Sequence, residues 1–306
     1  MNGLRQGSFR LFRFSGIDVF LHWSWFLIAA YEINARKSSY SSVGWNVAEY
    51  LALFLIVTLH EFGHALACRQ VGGISDHIVL WPLGGVAYVN PPPRPGATLW
   101  SLAAGPLVNA ALIPVLWAAG MMSRSMGWAH TAPDAIALLH SIWWINLGLL
   151  IFNMLPIYPL DGGQILRSLL WFVMGRGRSL MVATIFGFVG FVAFIAFAVW
   201  AHSVWFGILA VFILMNSWNG LKQAQALLRL GRLPRHVGFA CPTCKAAPPA
   251  GNLWLCGKCG NQFDTFQTHA RCPHCAVQFD KTRCLDCGRM HPMSEWIATV
   301  PLHPAG

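Results

Sequence analysis

Hydrophobic positions along the chain fall into long, nearly uninterrupted runs rather than into one-sided stripes, and that pattern decides the class. Runs that approach the ~20 apolar residues of a membrane-spanning helix predict six spanning segments, near 20–31 and somewhat beyond, 47–70, 98–121, 135–155, 180–201 and 204–218, the last continuing as a polar helix to about Leu230. Between them lie two stretches of strand character. Residues 8–20 alternate partly between apolar and polar types around Gly16, which predicts a short strand. Residues 74–90 place β-formers on either side of Gly84-Gly85, which predicts a hairpin with Pro82 at an irregular or edge position. The expected fold is a polytopic α-helical membrane protein with six transmembrane helices and a small membrane-associated sheet.

Composition changes near Pro234. The whole chain is 56% hydrophobic and 10% charged over 306 residues, yet the stretch after 233 is polar and holds eight of the nine cysteines. Two domains are therefore expected: a membrane core over 1–233 and a small tail over 234–306. The first apolar run lacks a small-residue cleavage site, so no cleaved signal peptide is expected. The formal charge of +10 suggests nucleic acid until its distribution is read. With a cytoplasmic N-terminus, twelve Lys/Arg before the tail fall on the inner side and three (Arg36, Lys37, Arg124) on the outer side. The positive-inside rule then orients both termini towards the cytoplasm of a cell (inner) membrane.

Polar residues inside apolar segments are costly and point to function. His60-Glu61-Phe62-Gly63-His64 lies in the second segment. Two His at i and i+4 on one helical face can share a Zn²⁺, and the intervening Glu can take a proton from water that the metal has acidified. Gly63 reads as room for a substrate backbone beside the metal. A catalytic zinc needs a third protein ligand. Cys68 is one further turn along the helix, a shift of ~5–6 Å that is too far to share the metal with both His, and reads as a small buried side chain. Asp161, a lone acid beside Gly162-Gly163 on backbone broken by Pro156 and Pro159, is the stronger candidate; its other reading is the N-cap of a helix resuming at Gln164. Asn109, in the third segment after Ala103-Ala104-Gly105-Pro106, reads either as a helix-packing hydrogen bonder or as a residue of the site. His22 reads as an interfacial side chain.

HEFGH in the second helix, the Gly-Gly hairpin, AAGPLVN in the third helix and NMLPIYPLDGG in the fourth together resemble the site-2 protease family of intramembrane zinc metalloproteases, over about residues 8–220. The resemblance implies His60, His64 and Asp161 as zinc ligands, Glu61 as general base, and Asn153 near the scissile peptide. It also implies membrane-anchored protein substrates cut in or near their spanning segments. A spanning helix hides its peptide bonds, so a substrate must unwind locally. The strand edge at 78–89 then offers a place for an extended peptide or is simply a structural plug, and Asn153 is placed to donate to the oxyanion. The rival reading is a membrane adaptor that keeps the metal site without cutting, but an intact Glu61 has no use in such a protein.

In the tail, Cys241/Cys244, Cys256/Cys259, Cys272/Cys275 and Cys284/Cys287 form four C-x-x-C pairs, a strong zinc signal in a reducing compartment. Pro inside the first and third pairs and Gly after the second and fourth make an internal repeat. It predicts two consecutive Cys₄ ribbons, about 241–260 and 272–288, and so two structural zincs beside the catalytic one. Residues 241–291 carry six Lys/Arg and three Asp/Glu. Eight thiolates and two Zn²⁺ turn this +3 into about −1. That disfavours nucleic acid and favours a cytoplasmic protein partner.

Overall fold

The computed structural model describes residues 7–81 and 84–297. The chain divides into two compact units, one of residues 1–175 and 179–220, the other of 176–178 and 221–306. The composition change at 233/234 coincides with the end of the last long helix at Arg232; compactness divides the chain earlier, at Leu221, because the polar half of that helix belongs with the tail.

In the first unit, β1 (Ser8–Phe14) and β2 (Ile17–His22) turn through Ser15-Gly16 and lead into α1 (Ser24–Ala35). The long α2 (Val43–Gln70) follows, then β3 (Ile74–Trp81) and β4 (Gly84–Asn90). Next come α3 (Pro95–Ser125), a single turn α4 (Trp128–Thr131) and α5 (Pro133–Met154). The unit ends with α6 (Asp161–Trp200) and the first half of α7 (Val204–Arg232). Among the described residues, five helices are long and apolar enough to cross a membrane: α2, α3, α5, α6 and α7. The expected sixth, α1, has 12 residues; at 1.5 Å per residue it covers ~18 Å, well short of the ~30 Å hydrocarbon core. Helix α6 starts at Asp161 rather than Gln164 and is interrupted at Gly175, whose φ of 79° breaks the helix where only glycine fits easily.

The four strands form one sheet in the order β1-β2-β3-β4, with β2 and β3 parallel and the outer pairs antiparallel. Gly84 and Gly85 do not make the hairpin turn. They stand in β4 opposite Trp81 and Leu80, and the connection falls at 82–83, outside the described residues. Ile17, Val19 and Leu21 of β2 with Ile78 and Leu80 of β3 bury one sheet face against Phe62 and Ala65 of α2 and Trp25 of α1. This core is the platform that holds the HEFGH helix. His22 is buried rather than interfacial: its ring stacks on Trp81 at 4.2 Å and its Nδ1 meets the Ser24 hydroxyl.

The second unit holds two small hairpins, β5 (Trp254–Leu255) with β6 (Gln262–Phe263) and β7 (Lys281–Arg283) with β8 (Met290–Pro292). Its core is aromatic: Trp254, Phe263, Phe266 and Trp296 are buried among the cysteines.

Candidate metal centre

The two histidines lie one turn apart on α2, and the fold brings Asp161 to them from a hundred residues away. Their side chains are buried. His60 Nε2 and His64 Nε2 are 3.1 Å apart, and Asp161 Oδ2 lies 3.0 Å from the first and 3.3 Å from the second. Four ligands around a zinc at ~2.0–2.1 Å stand ~3.3 Å from one another, so this donor triangle has the size of a zinc face. A zinc held by two neutral imidazoles and a carboxylate would keep one position for water or substrate. Cys68 lies outside the cluster, its Sγ 3.6 Å from the Ile74 carbonyl oxygen. Glu61 is buried next to His60 on the same helix.

Both rings are fixed from behind. His64 Nδ1 lies 2.8 Å from the carbonyl oxygen of Ser101, and His60 Nδ1 lies 2.6 Å from Asn109 Oδ1, both on α3. An oxygen at Nδ1 makes that nitrogen the proton carrier and leaves Nε2 as the lone-pair donor to a metal. Of the two readings of Asn109, it therefore fits both: it touches His60 of the candidate site, and its amide also ties α3 to Asn146 of α5.

Glycines set the approach of the elements. A Cβ at Gly63 would lie 2.7 Å from the Ala104 carbonyl oxygen and 2.9 Å from Val108 Cγ2. Gly63 thus makes room for α3, not for substrate, which corrects the sequence reading. The glycine that clears the two imidazoles is Gly105: a Cβ there would press on His64 Nε2 and lie 2.5 Å from His64 Cε1 and 2.8 Å from His60 Nε2. Gly162 and Gly163 let the start of α6 press on the backbone of Met154–Tyr158, where the Tyr158–Pro159 peptide is cis. That contact carries Asp161, the first residue of α6, inward. Asn153 is half-buried in the last turn of α5, eight residues before Asp161.

A family model of peptidase family M50 matches residues 48–135 and 119–197. A solved site-2 protease from Methanocaldococcus jannaschii superposes with a TM-score of 0.52 at 27% identity, covering 70% of this chain and 95% of that one. The chain belongs to peptidase family M50. Among curated relatives of this M50 chain, a zinc metalloprotease of M. jannaschii is 32% identical over 181 residues, 59% of this chain and 50% of that protein. A putative zinc metalloprotease of Synechocystis is 29% identical over 241 residues, 73% of this chain and 61% of that protein. The chain thus spans about half to three-fifths of the length of these relatives. It is an integral membrane protein.

The tail of this M50 chain carries two further donor sets, and their membership corrects the expectation of consecutive ribbons. Cys241, Cys244, Cys284 and Cys287 form one cluster; Cys256, Cys259, Cys272 and Cys275 form the other. Facing sulfurs are 3.6–3.7 Å apart, close to the ~3.7 Å edge of a tetrahedron with Zn–S of ~2.3 Å. The repeat is real at the level of the knuckle: each pair is closed by an amide donating to the first cysteine's carbonyl at 2.8–2.9 Å. Pairing of knuckles is decided elsewhere. Phe239 bridges Ile297, and the Ala240 amide donates to the Trp296 carbonyl at 2.8 Å. The two ends of the tail are thereby drawn together, so the first knuckle meets the fourth and the inner two meet each other. Amides of Cys259 and Lys258 pull the Cys256 thiol down to about 6. At Cys244, burial and the neighbouring Cys241 and Cys287 outweigh an opposing amide and push the thiol up to about 12. Thiols packed this closely oppose each other's ionisation, a conflict that a divalent cation removes.

Proposed function

We propose that this chain is an intramembrane zinc endopeptidase that hydrolyses peptide bonds in or near the spanning segments of membrane-anchored proteins. The observation that carries the reading is the convergence of His60, His64 and Asp161 beside a buried Glu61 within apolar helices. Relatives named as zinc metalloproteases and the site-2 protease fold support it. Zn²⁺ held by His60, His64 and Asp161 would supply a Lewis acid that polarises the scissile carbonyl and acidifies a water. Glu61 takes the proton of the attacking water and returns it to the leaving amine. Asn153 donates its amide N–H to the carbonyl oxygen as charge develops there. The substrate is held extended, and the open edge of β4, which pairs only with β3 among the described strands, accepts it as an added strand.

The orientation with both termini cytoplasmic rests on the charge asymmetry of the loops. The tail then lies where thiols stay reduced, and its two Cys₄ sets hold two structural zincs that fold a module for a cytoplasmic protein partner. The experiment is a comparison of the membrane proteins that accumulate when Glu61→Gln replaces the native protein in its own cells. Full-length membrane-anchored proteins should build up in the variant and shortened forms should disappear. An unchanged membrane proteome, with the protein expressed and the candidate substrates present, counts against the reading.

A further inference from the structure

Asn109 and Asn146 are fully buried, and asparagine amides at membrane depth are costly unless every polar atom is used. Three contacts connect them to the metal site. Asn146 Nδ2 donates to the backbone carbonyl of Asn109 at 2.9 Å, Asn109 Nδ2 donates to Asn146 Oδ1 at 2.8 Å, and Asn109 Oδ1 faces His60 Nδ1 at 2.6 Å. The polarity of this chain has one fixed point. A backbone carbonyl oxygen only accepts, so Asn146 must turn its NH₂ towards it. Its Oδ1 is then left to face Asn109, which must answer with its own NH₂. That leaves Asn109 Oδ1, an acceptor, opposite His60. With the Asn109 amide reversed, an NH₂ would face Nδ1, the ring proton would move to Nε2, and His60 could not ligate.

We infer that Asn146 is a positioning residue for the metal centre. Reached from α5 and touching no ligand, it fixes the Asn109 amide and through it the tautomer and ring orientation of His60. His64 needs no such relay, because it meets the Ser101 carbonyl directly. The inference rests on the zinc-site reading above and extends it by one residue from a third helix.

The test is zinc affinity, not turnover. Full-length protein, Asn146→Leu, Asn109→Ala and the double variant are titrated with Zn²⁺ against a chromogenic chelator. The zinc followed is the one that His60→Ala removes. Asn146→Leu should weaken that zinc ten- to hundredfold, and in the Asn109→Ala background the same change should have no further effect. A purely structural role would lower thermal stability and leave this affinity alone. Should Asn146→Leu fail to fold, Asn146→Ala, which fits any helix, is measured in the same two backgrounds with the same expectation. Wild-type affinity in the single variant, or an equal loss in both backgrounds, overturns the inference. If His60→Ala removes no zinc at all, the metal-centre reading falls first and this one with it.

Discussion

Gly105→Ala adds one methyl group to the protein, and it should empty the metal site. The new Cβ would press on His64 Nε2, lie 2.5 Å from His64 Cε1 and 2.8 Å from His60 Nε2. Non-bonded heavy atoms rest at ~3.5–4.0 Å, so the overlaps at the last two contacts are about 0.7–1.5 Å. The methyl therefore competes for the space that both ligand nitrogens face. Gly105 is backbone of α3, packed through Ala104 against Gly63 of α2, so neither helix can back away. Relief must come from the imidazoles. Turning each off its rotamer costs roughly 0.5–1.5 kcal/mol, about 1–3 kcal/mol for the pair, or ~5–150-fold in zinc affinity, before any direct exclusion of the ion. The assay is metal content per chain after dialysis against a weak chelator, together with helical content. The expected result is a folded protein that has lost one zinc and its cleavage activity. Gly120→Ala, on the same helix with nothing within 4 Å of its Cβ, should keep zinc and be stabilised slightly if anything. Zinc retained at wild-type affinity in Gly105→Ala would refute the placement of α3 against the ligands.

Asp161→Ala should lose the same zinc, whereas Cys68→Ala should keep it; metal analysis with the opposite outcome would make Cys68 the ligand. The nested pairing of the tail makes a stoichiometric prediction: Cys244→Ser with Cys284→Ser disables one cluster and leaves one tail zinc, whereas consecutive ribbons would lose both. Asp264 accepts from the Gly251 and Phe266 amides at 2.7 and 3.0 Å and from His236 Nε2 at 2.8 Å. Burial opposes its charge, but these donors prevail and its carboxyl is held below the usual range. A lowered carboxyl stabilises the folded tail above the unfolded pKa of ~3.9, and that contribution fades as pH falls through the folded value. Asp264→Asn should thus cost about 1.5–3 kcal/mol at pH 7, read from the fluorescence of Trp254 and Trp296 during denaturation, and the gap to wild type should shrink under acid; equal stabilities at pH 7 would remove the carboxylate from the account.

The site was legible in the sequence where the chemistry is local or the cost of burial is high. His60, Glu61 and His64 declare themselves by spacing on one helix. Asp161 does so as a lone acid on broken backbone in an apolar segment, which is why it could be matched to the pair without a structure. What the sequence left open depends on how helices cross. Gly63 and Gly105 are equally small, and only the α2–α3 crossing tells that Gly63 meets backbone while Gly105 meets the two imidazoles. Asn109 stood between packing and site for the same reason, and Asn146 drew no notice, though an asparagine inside an apolar run was its signal. The cysteine repeat described each knuckle correctly and misled on their pairing, because the closure of Phe239 on Ile297 is a long-range contact that no local spacing encodes. The first span was over-read because Phe20–His22 belong to β2 and the residues after Ala35, Arg36-Lys37-Ser38-Ser39, are polar.

The proposed role of Glu61, chemistry at a zinc held by His60, His64 and Asp161, has its own assay. It is tested most directly by measuring cleavage of a single-span model substrate with a helix-weakened segment, by purified full-length protein and by Glu61→Gln, each with its zinc content determined in the same sample. Equal zinc is expected in both proteins, with cleavage by the wild type and none by the variant above background. Cleavage by zinc-loaded Glu61→Gln at the wild-type rate would contradict it.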